Sequence, residues 1–317
     1  MSLLPLYQNR DAANHQAATG KQTRGVKRIY LTERDLEILQ AICTARYMTA
    51  PQVEALFWRN AKGGTYGSKK AAQRRLRLLT HHRLLRRIEQ PVKRGEGSAA
   101  YIYSINARGA EILVHEVGMD PAVVDWRPRS REENYPFLQH LLDTTDFRIA
   151  LSLACKAHKV TLVSWTDERE IKSQEAYDYV SLTGPMGGTQ KVAVIPDASF
   201  VIRTGDRQAR YVLETDRGTV SISPTLWNRR GWTQKIRAYM EYYQSGLYEK
   251  RYQTVSMLVL TVTTSLARLE QMKAATEEVG GDSRFLFTTF ENAQADTLLT
   301  GEIWHRAGHE ETYSLLL

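Results

Sequence analysis

Cysteine is nearly absent: Cys43 and Cys155 are the only two in 317 residues. Two are too few for a disulfide framework or a Cys-based zinc module. Both fall on apolar helical stretches, where a thiol is expected to be buried and inert. No run of about 18 apolar residues occurs, so no helical membrane span is expected. Residues 1–10 lack a cationic start followed by an apolar core, so no secretory signal is expected. These absences predict a reducing, cytoplasmic setting. No G-x-x-x-x-G-K-[ST] loop occurs, which argues against an ATP motor. His15, His81, His82, His115, His140, His158, His305 and His309 show no metal-ligand spacing.

What the chain has is positive charge, unevenly placed. Composition is ordinary, with 42% hydrophobic and 25% charged residues, which excludes global disorder. At about 150 residues per domain, the length predicts two domains. Residues 1–120 hold 20 Lys and Arg against 10 Asp and Glu; the remainder holds 23 against 25. The surplus behind the net charge of +8 therefore lies wholly in the first part. A single-sign field on one segment suits a polyanion, above all nucleic acid.

Residues 1–28 carry no apolar periodicity and read as a flexible basic arm ending in Lys21, Arg24, Lys27 and Arg28. Thr32-Glu33-Arg34-Asp35 resembles a capping box with Asp in its fourth position, and Leu36, Leu39 and Ile42 recur behind it. A helix over about 33–45 follows. Thr49-Ala50-Pro51-Gln52 starts a second helix, with its proline in the first turn. After a Gly-rich loop, Ser68 is expected to cap a third helix over about 69–82. Residues 84–88 and 100–105 are β-prone runs joined by a basic, Gly-rich tip, which predicts a hairpin. A fourth helix runs from Asn106 or Arg108 to Val117. Three helices followed by a hairpin make a winged helix-turn-helix over 29–119.

Pro121, Pro128 and Pro136 mark residues 120–136 as a linker. Beyond it come a long helix over 137–158 and strands at 160–165, 192–195, 198–202, 210–215, 255–262 and 285–289. A polar loop containing Gly184 to Gly188 fills the stretch between the strands at 160–165 and 192–195, and helices cover 232–243 and 266–278. The mixture predicts an α/β domain over 137–317 with a helix-covered sheet. Trp227, Trp232, Tyr239, Tyr242, Tyr243 and Tyr248 crowd one stretch among Arg229, Arg230 and Arg237. They are expected to be the core face of a helix, with base stacking as the alternative.

Two groups of residues carry chemistry. On the third helix, Ala72, Leu76 and Leu79 share a core face, while Lys69, Lys70, Gln73, Arg74 and Arg77 project elsewhere. In a helix-turn-helix that exposed face enters the major groove, where Arg reads guanine and Gln reads adenine. Lys93 and Arg94 at the hairpin tip would meet phosphates. In the second domain, Glu214 and Asp216 stand two apart on a strand and so share a face. They are expected to converge with Asp197 of the neighbouring strand, and Lys235 on the next helix is placed to approach. Clustered carboxylates suit Mg²⁺, which would activate water against a phosphodiester. Structurally, Glu214 would simply pair with Lys235 or an arginine.

Two runs carry a resemblance. They are Leu31-Thr32-Glu33-Arg34-Asp35 through Arg46-Tyr47-Met48-Thr49 to Arg74-Arg75-Leu76, and Pro196-Asp197-Ala198 with Glu214-Thr215-Asp216-Arg217-Gly218-Thr219 and Lys235-Ile236. In this order they resemble the replication-relaxation family of plasmid and mobile-element proteins, over about residues 30–290. The second half is also similar to the PD-(D/E)xK restriction-endonuclease-like fold, matching at Asp197 and Glu214. It departs where that family's lysine, two residues after the acid, is replaced by Asp216; Lys235 is the substitute on offer.

The resemblance implies a DNA-binding protein of a plasmid or mobile element. It would act in replication initiation, relaxation or mobilisation, or in their regulation. Its partners would be double-stranded DNA, replication or mobilisation proteins, and a second copy of itself as a homodimer. The alternative is a Mg²⁺-dependent nuclease using Asp197, Glu214 and Asp216 for metal and Lys235 for charge. Non-catalytic binding is the first expectation.

Overall fold

The computed structural model describes residues 29–58, 66–90, 99–127, 135–184, 186–223 and 229–316. The basic arm at 1–28, the wing-tip residues Lys93 and Arg94, and Trp227 lie outside the described residues. The chain divides into two compact units, one ending at Leu142 and the other beginning at Asp143.

The first unit begins with α1 (Glu33–Ala45), whose first turn is closed by Asp35. The Asp35 carboxylate accepts from the Thr32 N–H at 2.6 Å and the Thr32 hydroxyl at 2.7 Å. A short strand β1 (Met48–Thr49) leads into α2 (Ala50–Phe57). There Thr49 and Gln52 cap each other reciprocally, and the Gln52 amide also donates to the Leu142 carbonyl at 2.9 Å. α3 (Tyr66–His81) begins earlier than predicted. Ser68 is therefore not its cap but lies in its first turn, where its hydroxyl donates to Glu54 at 2.7 Å.

β2 (Leu85–Ile88) and β3 (Ile102–Ile105) pair antiparallel, and β3 also pairs with β1, giving the sheet order β1-β3-β2. α4 (Ala107–His115) is capped by Asn106. It passes so close to the turn between α3 and β2 that a Cβ on Gly109 would stand 2.2 Å from the Leu84 carbonyl oxygen. Ile38, Leu39, Ile42, Leu76, Leu79 and Leu84 are fully buried and form the core of this unit. Three helices thus precede a hairpin that closes on the strand between α1 and α2.

α5 (Tyr135–Ala157) contains the boundary between the units. Its first part packs Leu138 and Leu142 with Tyr47 and Ile102.

In the second unit, β4 (Thr161–Asp167), α6 (Glu168–Ser173), β5 (Asp178–Thr183) and β6 (Thr189–Val194) come first. β7 (Ala198–Thr204), β8 (Arg207–Thr215), α7 (Trp232–Gln244), α8 (Leu247–Tyr252), β9 (Leu258–Thr263), α9 (Leu266–Glu278) and β10 (Phe285–Thr289) follow. Two short strands end the chain, β11 (Trp304–Arg306) and β12 (Thr312–Tyr313). Seven strands form one mixed sheet in the order β12-β11-β10-β9-β8-β7-β4. β8, β9 and β10 run parallel at its centre, and the flanking pairs are antiparallel.

Alternation along β8 and β9 splits the core between the two faces. Leu213, Leu260 and Val262 join Phe147, Leu151 and Ala154 of α5. Val212 and Val259 join Trp232, Ile236 and Tyr239 of α7 and Met272 of α9. The stretch read as a polar loop holds α6 and the β5–β6 hairpin. That hairpin is a separate two-stranded sheet whose Val180, Leu182 and Val194 sit in the α7 core. β7 and β8 are joined by the turn Gly205-Asp206, where Gly205 takes φ +56°. No helix among the described residues is long and apolar enough to cross a membrane. Cys43 and Cys155 are both buried, and burial pushes the Cys155 thiol up to about 11.

Candidate functional site

Two constellations answer to the sequence, one in each unit. The first is the outer side of α3. Ala72, Leu76 and Leu79 are at most 1% exposed, while Lys69, Lys70, Gln73, Arg74, Arg77 and His81 are exposed. Arg75 breaks the run of cations. Its guanidinium is bidentate on Asp35, which is 1% exposed, and also donates to the Tyr30 carbonyl at 2.9 Å. Arg75 is thus a tie between α3 and α1, and its neighbour Arg74 points to solvent. The helical period carries the signal for this: positions 72, 75, 76 and 79 fall on one stripe, so a charge at 75 requires a buried partner.

Cationic surface continues onto the hairpin, where the Arg87 guanidinium lies 4.2 Å from the Tyr101 ring centre. Arg87 and Arg77 both act on the Tyr103 hydroxyl: burial raises its pKa and the two cations oppose the rise. Sequence reasoning gave no binding role to Arg34, Trp58, Arg87 and Tyr101; of the two arginines, only Arg87 has a cation, Arg86, next to it in the chain. The Arg34 guanidinium stands 5.3 Å from the Trp58 ring centre.

The second constellation lies at the end of the β7–β8 hairpin opposite its turn. The antiparallel register, with Ala198 opposite Leu213, carries Asp197, just before β7, to the end of β8, whose last residue is Thr215. Asp197 Oδ2 accepts from the Thr215 N–H at 2.7 Å and the Thr215 hydroxyl at 2.9 Å. Glu214 points to the opposite face of β8, against α7. There Lys235 Nζ donates to Oε2 at 2.5 Å and the Tyr239 hydroxyl to Oε1 at 2.5 Å. Glu214 is 1% exposed, and its burial, helped by Asp197, outweighs Lys235 and Tyr239 and pushes the carboxyl up to about 7. Burial alone would lower Lys235, but Glu214, Asp197 and Glu168 outweigh it and hold the ammonium charged. Lys235 itself is half-exposed.

Asp197, Glu214 and Lys235 are thus brought together, and Asp216 is not. Asp216 comes directly after the last residue of β8, and its N–H still donates to the Val262 carbonyl at 2.8 Å. Its carboxylate forms a bidentate pair with Arg268, at 2.8 and 3.0 Å, and accepts from the Thr263 hydroxyl at 2.7 Å. Burial would raise Asp216, but Arg268 and Thr263 prevail and hold it below the ordinary carboxylate range.

This donor set does not fit a divalent cation. Both Glu214 oxygens are occupied, Asp197 Oδ2 accepts twice, and Asp216 belongs to Arg268. Among the described residues, no three His, Cys, Asp or Glu side chains are arranged to hold a metal. Trp232, Tyr239, Tyr242 and Tyr248 of the aromatic stretch are buried in the α7 core.

A basic, exposed helix over a small helical unit, and a helix-covered mixed sheet ending in an Asp-Glu-Lys group, define a two-unit α/β protein. The chain belongs to the replication-relaxation family, whose profile matches residues 39–258. No curated protein matches it. Among solved structures it is similar to restriction endonuclease FokI bound to DNA. That match has 11% identity and a TM-score of 0.26, over 82% of this chain and 43% of the other. It is also similar to FokI alone, at 11% identity and a TM-score of 0.27, over 82% and 42%. The chain spans less than half the length of either.

Proposed function

We propose that this protein binds double-stranded DNA through the outer face of α3, serving replication, relaxation or mobilisation of a plasmid or other mobile element. The observation that carries this reading is the segregation on α3: Lys69, Lys70, Gln73, Arg74 and Arg77 exposed, with Leu76 and Leu79 buried beneath. Family membership supports the setting. The rigid apolar side fixes the helix, and the cationic side offers phosphate contacts with guanidinium and amide groups for base edges. A homodimer on repeated half-sites would suit this geometry.

The test is affinity for a labelled duplex across a salt series. Log K should fall linearly with log salt, and replacing both Arg74 and Arg77 with alanine should reduce the slope by about two. No binding at low salt, or a flat response, would overturn the reading.

The second unit serves in this proposal as scaffold or partner-binding module. The buried Glu214 and the half-exposed Lys235 act there as an ion pair bracing β8 on α7. Supercoiled plasmid with Mg²⁺ or Mn²⁺ is expected to stay intact. Nicking that disappears in Glu214→Ala would instead establish a nuclease.

A further inference from the structure

Beside the DNA-facing side of α3 a groove of about 670 Å³ opens between α1, Trp58 and α3. Its size falls within the range of about 300–1,000 Å³ typical of small-molecule sites. The lining is of two chemical kinds. Trp58 and Leu78 supply apolar surface, and Leu78 is 36% exposed. Arg34, Arg74 and Arg77 supply cations, with the His81 ring beside them. Asp35 also lines the groove, but Arg75 neutralises it. The net character is an aromatic and aliphatic floor ringed by guanidinium groups.

Contact with an intact duplex needs no such feature. Phosphates and base edges are met by the tips of outward side chains, and an indole inside a cavity adds nothing to them. An aromatic face with a guanidinium plane beside it is what an unpaired base requires: stacking is indifferent to sequence, and the adjacent arginines receive the phosphate. Apolar lining and positive charge together suit no simple anion and no purely apolar ligand. They suit a flat heterocycle carrying a phosphate.

We propose that this groove takes one unpaired nucleotide of DNA, its base against the Trp58–Arg34 pair and its phosphate on Arg74 or Arg77. The protein would then prefer DNA that offers a base outside the stack, as at a melted or bulged position. The inference rests on the DNA-binding reading above.

The experiment compares a matched duplex with the same duplex carrying a single-nucleotide bulge, both labelled, at one salt concentration. The bulged DNA should bind about tenfold more tightly, the scale of one base–aromatic stack. Trp58→Ala should remove that preference while leaving matched-duplex affinity in place, and Trp58→Phe should restore most of it. Ala71→Leu, which fills the groove from α3 without replacing a cation, should also remove it and covers the case of a Trp58 variant that fails to fold. Equal affinity of wild type for the two DNAs would overturn this proposal and leave duplex binding standing. So would a preference that survives both Trp58→Ala and Ala71→Leu. Failure to bind either DNA would sink the duplex reading and this one together.

Discussion

Glu214 and Asp35 are both buried carboxylates, and their surroundings set them apart. Asp35 has a bidentate arginine and two Thr32 donors. Removing the arginine by Arg75→Ala leaves a buried charge that Thr32 alone does not satisfy. We expect a loss of about 3 kcal/mol in the stability of the first unit, read by urea unfolding. Glu214 has a raised pKa because burial outweighs its donors. The native state therefore binds a proton that the unfolded chain has already released, in the window between about pH 4.5 and 7. Its contribution to stability is full below that window and fades as pH rises through it. The stability difference between wild type and Glu214→Gln should shift against the wild type across that window, by no more than about 1.4 kcal/mol per pH unit. A difference constant with pH would contradict this. That Glu214 meets Lys235 was legible in the sequence, because a helix following a strand returns across it. The engagement of Asp216 by Arg268 was not, because the two are 52 residues apart and only the packing of α9 brings them together.

At the scale of elements, the helices with strong local signals stand where periodicity and caps put them. α1, α9 and β10 occupy the predicted residues, because capping residues and apolar spacing are properties of a short window. α6, α8, β5, β11 and β12 escaped notice. They are short, and their apolar residues are completed by partners far along the chain: Val180 and Leu182 of β5 are buried only because α7 covers them. The central strands carry a correctable flaw. The hydroxyls of Thr261 in β9 and Thr288 in β10 are buried without a hydrogen-bond partner among the described residues. Thr261→Val and Thr288→Val keep the shape and remove an unsatisfied group, so each should stabilise by about 1 kcal/mol, visible as a raised thermal midpoint.

For the molecule as a whole, composition located the charge correctly before any element was known. Under the reading proposed above, an excess confined to residues 1–120 would place the affinity for DNA in one part of the chain. The corresponding prediction compares equal charge changes in different places. Arg74→Glu should reduce duplex affinity at least tenfold by placing a carboxylate among phosphates. Lys191→Glu, on the β5–β6 hairpin where Lys191 lies exposed over Tyr179, should change it less than about twofold. Comparable losses from both would mean that the second unit touches DNA as well.

The antiparallel β7–β8 hairpin adds a practical consequence. Asp197 and Glu214 lie at its open end, and the Gly205-Asp206 turn lies at the far end of seven paired positions. Length added at that tip has no route to the register that holds the two carboxylates. A reporter peptide or fluorophore tag inserted between Gly205 and Asp206 should therefore give a visible, folded protein with the Asp197–Glu214 end intact.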